Sequence, residues 1–159
     1  MKPRILPAIV LLSLCLIGPA LAADNAHNHG QTHGANQVAT LQLNAGKKWE
    51  TDAPLRKTMG DIRQAMDGSL KAIHEDRLSP GGYAVLAKKI DGAVADMVAN
   101  CKLGTKADEQ LHIVIADLLA GADQMKGKSQ RMDGAIKVIE ALGSYAKYFD
   151  DPGFKPIAH

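Results

Sequence analysis

The sequence predicts an all-α domain, an antiparallel up-down-up-down four-helix bundle, preceded by a cleaved signal peptide and a flexible histidine-containing tail. In four separate segments, apolar side chains recur every three or four residues, the spacing that aligns them on one face of a helix. Glycine, proline or serine residues separate these segments, and no segment shows the sustained alternation typical of a strand. Short connections make antiparallel neighbours the natural arrangement.

Residues 1–22 have the three-part pattern of a secretory signal. Lys2 and Arg4 form a basic start, residues 5–17 an apolar core, and residues 20–22 a small-x-small exit. A membrane-spanning helix needs about 20 apolar residues, and Pro7 interrupts this run. We therefore predict cleavage, export to the periplasm and no stable membrane anchor.

The charge of the remaining chain excludes one class of partner. The leader contains two of the 19 basic residues and none of the 17 acidic ones, so the rest is balanced at 17 of each. No basic patch with interleaved aromatic residues is present, which argues against nucleic-acid binding. One cysteine remains after the leader, and a single cysteine cannot form an internal disulfide.

The segment 23–48 is polar and buries too little apolar surface to fold by itself, so we predict a flexible tail. It contains His27, His29 and His33. Imidazole suits Cu²⁺, Zn²⁺ and Ni²⁺, so these side chains are a weak candidate metal site. The alternative is a solvated linker.

The first two helices have recognisable ends. Helix 1 begins near Thr51, a candidate N-cap with Pro54 in the first turn, and runs to about His74. Helix 2 begins after residues 79–82 and stops at Gly104. The inward residues are Leu55, Met59, Ile62, Met66, Leu70 and Ile73 on helix 1, and Tyr83, Leu86, Ile90, Val94, Met97 and Cys101 on helix 2.

Thr105 and Asp108 resemble a capping box at the start of helix 3, which Gly127 ends. Ser129 begins helix 4, which ends near Phe149. The inward residues are Leu111, Ile115, Leu118, Ala122 and Met125 on helix 3, and Met132, Ile136, Ile139, Leu142, Gly143 and Ala146 on helix 4. The bundle is thus predicted over residues 49–151, with a C-terminal tail at 152–159.

The candidate site centres on Cys101, an unpaired thiol in a chain predicted for an oxidising compartment. The topology brings Met97, Met59 and His112 to the same end of the bundle. Thiolate and thioether sulfur select soft ions such as Cu(I), and imidazole also binds copper. These four residues therefore predict copper binding for buffering, carriage or sensing. The alternative is a core thiol beside ordinary core methionines.

A second group near the middle and the other end of the bundle contains no thiolate, and its spacing is typical of core packing. Its members are Met66, His74, Met125 and Met132.

Several segments resemble a family of exported helical proteins labelled DnrO-like. The matching segments are Trp49-Glu-Thr-Asp-Ala-Pro-Leu-Arg56, Asn100-Cys-Lys-Leu103, Leu111-His112 and Tyr148-Phe-Asp-Asp-Pro152. The resemblance implies an exported helical domain and points to denitrification or metal handling. Cys101 and His112 lie inside matching segments.

The bundle is also similar to cytochrome b562, in which a Met early in helix 1 and a His late in helix 4 bind haem. Met59 suits the first role, but helix 4 contains no histidine. A non-covalent b-type haem would therefore need His112, with inward Gly143 and Ala146 leaving room for the ring. A periplasmic chaperone or adaptor without a cofactor is a further alternative. We expect no enzyme, because Cys101 and His112 lack a third orienting group.

Overall fold

Four helices make up most of residues 40–158, the part of the chain that the structure, a computed structural model, describes. The elements are β1 (Trp49–Glu50), α1 (Ala53–His74), α2 (Pro80–Asn100), α3 (Thr105–Lys126), α4 (Arg131–Tyr148) and β2 (Phe149–Asp150). Consecutive helices pack against one another and α1 also contacts α4, which confirms the four-helix bundle. No helix in the described part is long and apolar enough to cross a membrane. The predicted signal peptide and His27, His29 and His33 lie outside the described residues.

The first two helices begin at residues that differ slightly from the prediction. Asp52, rather than Thr51, is the N-cap of α1, and its Oδ1 accepts a hydrogen bond from the Leu55 N–H at 2.9 Å. The Thr51 hydroxyl instead donates to the Asp150 carbonyl. Ser79 caps α2, whose first residue is Pro80, so residues 80–82 belong to the helix. Proline is favoured at the first helical position because the backbone N–H that it lacks would have no partner within the helix there.

The predicted capping box on α3 is wrong. Gly104 is the N-cap, no side chain caps this end, and Thr105 is already the first helical residue. The start of α4 also moves, from Ser129 to Arg131, with Gln130 in the left-handed region at φ 65°. Gly127 ends α3 as predicted.

The core confirms most of the predicted apolar faces, including Met66 and Met125. Two residues of α4 are exceptions, because Met132 is 37% exposed and Ile136 is 43% exposed. The buried face of α4 centres on Val138, and at about 100° per residue both positions are rotated more than 100° from it. His74, assigned with Met132 to core packing, is also exposed.

Two buried glycines bring α3 and α4 close together, a feature that the predicted apolar faces did not include. A Cβ atom on Gly121 would lie 2.7 Å from the Gly134 carbonyl oxygen, and one on Gly134 would lie 2.6 Å from the Gly121 carbonyl oxygen. Contacts this short require helix backbones to move. We call this pair the glycine contact.

Both ends of the domain extend beyond the predicted boundaries. β1 and β2 form a parallel pair with Trp49 opposite Phe149, too short to leave an alternating pattern in the sequence. Before it, Leu41 packs against the core and the Gln42 N–H donates to the Gln110 side chain, although residues 23–48 were predicted to be flexible. After it, Phe154 and Ile157 also pack against the core. The domain therefore includes residues 41–48 and the predicted C-terminal tail.

Candidate metal centre at the Cys101 end

The Asp52 carboxylate joins two chain segments at one end of the bundle. Its Oδ1 accepts the Leu55 N–H at the start of α1, and its Oδ2 accepts the Lys102 N–H, which follows α2, at 2.6 Å. The same carboxylate helps to raise the pKa of the Cys101 thiol. One side chain thus connects the start of α1 to the loop between α2 and α3, at the residue that follows Cys101.

Cys101 lies one residue beyond α2, not on the last turn of its apolar face as predicted. It has an extended backbone at φ −70° and ψ 142°, and its N–H still donates to the Met97 carbonyl at 2.9 Å. The side chain is half-buried against the core. Burial is the main cause that raises the pKa of the thiol from about 9 to about 11, and the nearby Asp52 carboxylate contributes to the same rise. The free thiol is therefore protonated near neutral pH.

The two thioethers of the predicted set are core residues. Met59 and Met97 are both 0% exposed, and they belong to the same buried cluster against which Cys101 packs. The structure therefore places three of the four predicted sulfur and nitrogen donors in or against one core.

His112 does not join them. Its side chain is 64% exposed, with Nδ1 2.9 Å from the Asp108 carbonyl oxygen and 3.5 Å from Asp108 Oδ2. Consequently, the two residues of the haem alternative occupy different environments, Met59 in the core and His112 in solvent. Gly143 and Ala146, predicted to point inward, are half-buried.

Residues 40–158 contain no group of three or more His, Cys, Asp and Glu side chains arranged to hold a metal ion. The predicted set is of another kind, because two of its members are the methionines Met59 and Met97. Methionine sulfur is a soft ligand that suits Cu(I) and is a poor ligand for Mg²⁺ or Ca²⁺.

Three polar residues at this end of the bundle were not predicted. Asp52 and Asp151 are half-buried and Tyr145 is fully buried. The Tyr145 hydroxyl donates to Asp151 Oδ2 at 3.0 Å. Burial raises the pKa of this phenol, and Asp151 raises it further, while Arg56 opposes the change. An Asp before Ala-Pro is a possible N-cap signal that could have identified Asp52, whereas the Tyr145–Asp151 pair depends on the turn after β2.

Solvent reaches this end through a surface cavity of about 470 Å³. Trp49, Asp52, Lys102 and the first residues of α3 line it. Asp52 therefore lies between open solvent on one side and the half-buried thiol on the other.

No protein-family model, curated protein or solved structure matches this chain.

Proposed function

We propose that this chain is an exported periplasmic protein that binds Cu(I) and serves in copper buffering, carriage or sensing. The observation that carries the proposal is the position of Cys101, a half-buried thiol packed against the core that contains the Met59 and Met97 thioethers. Thiolate and thioether ligands select Cu(I) over hard cations.

The charges around Cys101 are compatible with a bound cation. When Cu(I) binds, the thiol releases its proton to solvent and a Cu–S bond forms, because the thiolate is the metal ligand. Without a metal, Asp52 disfavours the thiolate. With a metal, the same carboxylate offsets the positive charge of the ion.

His112 is not included in the ligand set, since its imidazole lies in solvent beside Asp108. The proposal therefore assigns Cu(I) to three sulfur atoms, those of Cys101, Met97 and Met59. The histidines at 27, 29 and 33 remain a separate prediction of weak divalent metal binding.

Conservative substitutions test the ligand set. Cys101→Ser replaces a soft thiolate with a hydroxyl, whereas Met97→Leu and Met59→Leu keep the apolar volume and remove the sulfur. Such volume-conserving changes typically cost under about 1.5 kcal/mol of stability. We expect all three variants to compete less well for Cu(I) against a chromogenic chelator, with Cys101→Ser the weakest.

Met66→Leu and Met125→Leu are matched controls, because these methionines are also 0% exposed but lie outside the set. They should bind Cu(I) as tightly as the parent. Equal affinity in Cys101→Ser, Met97→Leu and Met59→Leu would refute the copper proposal. Addition of haem to the parent protein tests the other two alternatives. A Soret shift that is lost when Met59 or His112 is replaced would favour haem binding. A protein that bound neither Cu(I) nor haem would favour the adaptor.

A further inference from the structure

The exposed side of α2 is unusually apolar for a helix on the surface of a bundle. From Ala84 to Ala99, six of the nine exposed residues are alanine, valine or glycine, and Val85 is 59% exposed. A surface helix normally places charged and polar residues on the face opposite the core. Exposed apolar surface of this kind is typical of an interaction site.

The charged residues on this side of α2 are separated by sign along the helix. Lys88 and Lys89 precede Gly92, whereas Asp96 follows it by four residues. At about 100° and 1.5 Å per residue, all three lie within about 60° of Gly92 around the helix and about 5–6 Å from it along the axis. Within residues 40–158, none of these three side chains forms a salt bridge. The lysines and the carboxylate are therefore available to a partner.

Gly92 leaves open space between these opposite charges. It lines a surface groove of about 610 Å³ between α1 and α2, together with Gly68 of α1 and the charged residues of α2. A Cβ atom on Gly92 would meet no atom within 4 Å. Without a side chain at this position, the backbone of a second helix can approach α2 closely, as the two helices do at the glycine contact.

We propose that two copies of this chain associate through their α2 helices, which run antiparallel and cross near Gly92. A two-fold axis at Gly92 relates residues at equal distances on either side of it. Lys88 of each copy then faces Asp96 of the partner subunit, with Lys89 beside it. A parallel pair would instead place lysine opposite lysine and aspartate opposite aspartate, so charge complementarity favours the antiparallel dimer. The dimer involves neither Cys101 nor a metal and does not rest on the proposed function.

Charge reversal tests the pairing, with sedimentation velocity over a range of protein concentrations as the measurement. We expect the parent to dimerise. Asp96→Lys alone, or Lys88→Asp together with Lys89→Asp, places like charges across the crossing and should raise the dissociation constant at least about tenfold. An equimolar mixture of these two variants should restore a dimer as tight as the parent, because every pair across the crossing then joins opposite charges.

Gly92→Leu tests the close approach of the helices. The added side chain projects into open space in a single copy, so the helical circular dichroism should persist while the dimer is lost. Glu140→Lys, on the exposed side of α4, is the control, because it changes the net charge as much as Asp96→Lys does and should leave the dissociation constant unchanged.

Four results would overturn the proposal. The first is a parent that stays monomeric up to about 100 μM, which would leave this side of α2 to a partner other than a second copy. The others are Asp96→Lys and Gly92→Leu variants that dimerise like the parent, a Glu140→Lys variant that weakens the dimer as much as Asp96→Lys, and a mixture of the two charge-reversed variants that stays monomeric.

Discussion

The α3–α4 interface and the space between α1 and the C-terminal residues 151–158, which we call the strap, are packed in opposite ways. At the glycine contact, even one added methyl group on Gly121 or Gly134 would meet backbone atoms at 2.6–2.7 Å. Under the strap, a methyl group on Gly60 would meet nothing within 4 Å. Glycine therefore occurs in two different environments. At the glycine contact it allows two backbones to approach closely, and at Gly60 it borders unfilled space.

This difference separates a rigid side of the bundle from an adjustable one. Close-packed backbones leave no room for displacement, because protein interiors have low compressibility. The strap side contains a surface cavity, and the strap is held by single side chains, which include the buried Ile157 and Arg63, whose Nε donates to the Lys155 carbonyl.

The largest expected effect is on the rigid side. Gly134→Ala should destabilise the protein by about 3 kcal/mol, at the upper end of the cost of overpacking, because the new Cβ would meet Gly121 O, Gln124 Cβ and Met125 N within 2.8 Å. Urea unfolding measures the change.

Gly143→Ala is the control on the same helix, since its Cβ would meet nothing within 4 Å. It should stabilise the protein by about 0.5–1 kcal/mol through helix propensity. If Gly134→Ala is also neutral or stabilising, the glycine contact is not tight in solution.

The second prediction concerns the attachment of the strap. Phe154→Ala should lower the free energy of unfolding by about 2 kcal/mol, less than the roughly 3–5 kcal/mol typical of a fully buried Phe, because Phe154 is only half-buried. Urea unfolding gives the change in free energy, and hydrogen exchange should show increased opening around the strap. A loss of protection spread evenly over all four helices would contradict a locally attached strap.

The helices were predictable from the sequence, whereas their exact ends were not. Leu55 to Ile73 on α1 recur with one helical period, so the buried face follows directly from the pattern. Caps depend on individual side-chain hydrogen bonds, and the prediction placed the cap at Thr51, one residue before Asp52, which caps α1 in the structure. On α4, the spacing of Met132 and Ile136 is typical of core residues, but the glycine contact sets the rotation of that helix. This contact is a tertiary feature formed without apolar side chains, so the apolar pattern does not reveal it.

The candidate site was predictable only in part, for a similar reason. Met59 and Met97 follow the helical period and are buried, as expected. His112 lies at the edge of its predicted face, where the pattern left its direction open. The environment of Cys101 comes from Asp52, which is distant in sequence, and Tyr145 comes near only when α4 and the C-terminal residues have packed.

The third prediction concerns alkaline pH. The folded pKa of Cys101 is raised to about 11 from an ordinary value near 9, so between these values the unfolded chain releases a proton that the folded chain retains. The resulting stability is fully present below pH 9 and is lost as pH rises through 11. After allowance for solvent screening of a half-buried group, we expect a loss of about 1 kcal/mol.

The measurement is the difference in unfolding free energy between the parent and Cys101→Ala, followed from pH 8 to pH 11 by urea unfolding. Both proteins contain the same lysines and tyrosines, so the contribution of their titration cancels when the two unfolding free energies are subtracted. It should shift in favour of the variant above pH 9. A difference that does not vary with pH would mean that the thiol is as well solvated in the folded protein as in the unfolded chain.

The smallest expected effect tests the space between α1 and the strap. Gly60→Ala adds one methyl group on α1 beneath the strap, where no atom lies within 4 Å, and alanine is favoured over glycine inside a helix by up to about 1 kcal/mol. We expect a gain of about 0.5 kcal/mol in urea unfolding, because the methyl group fills space without touching the strap. A loss of stability would show that the strap closes onto α1 in solution, and the contrast with the glycine contact would then disappear.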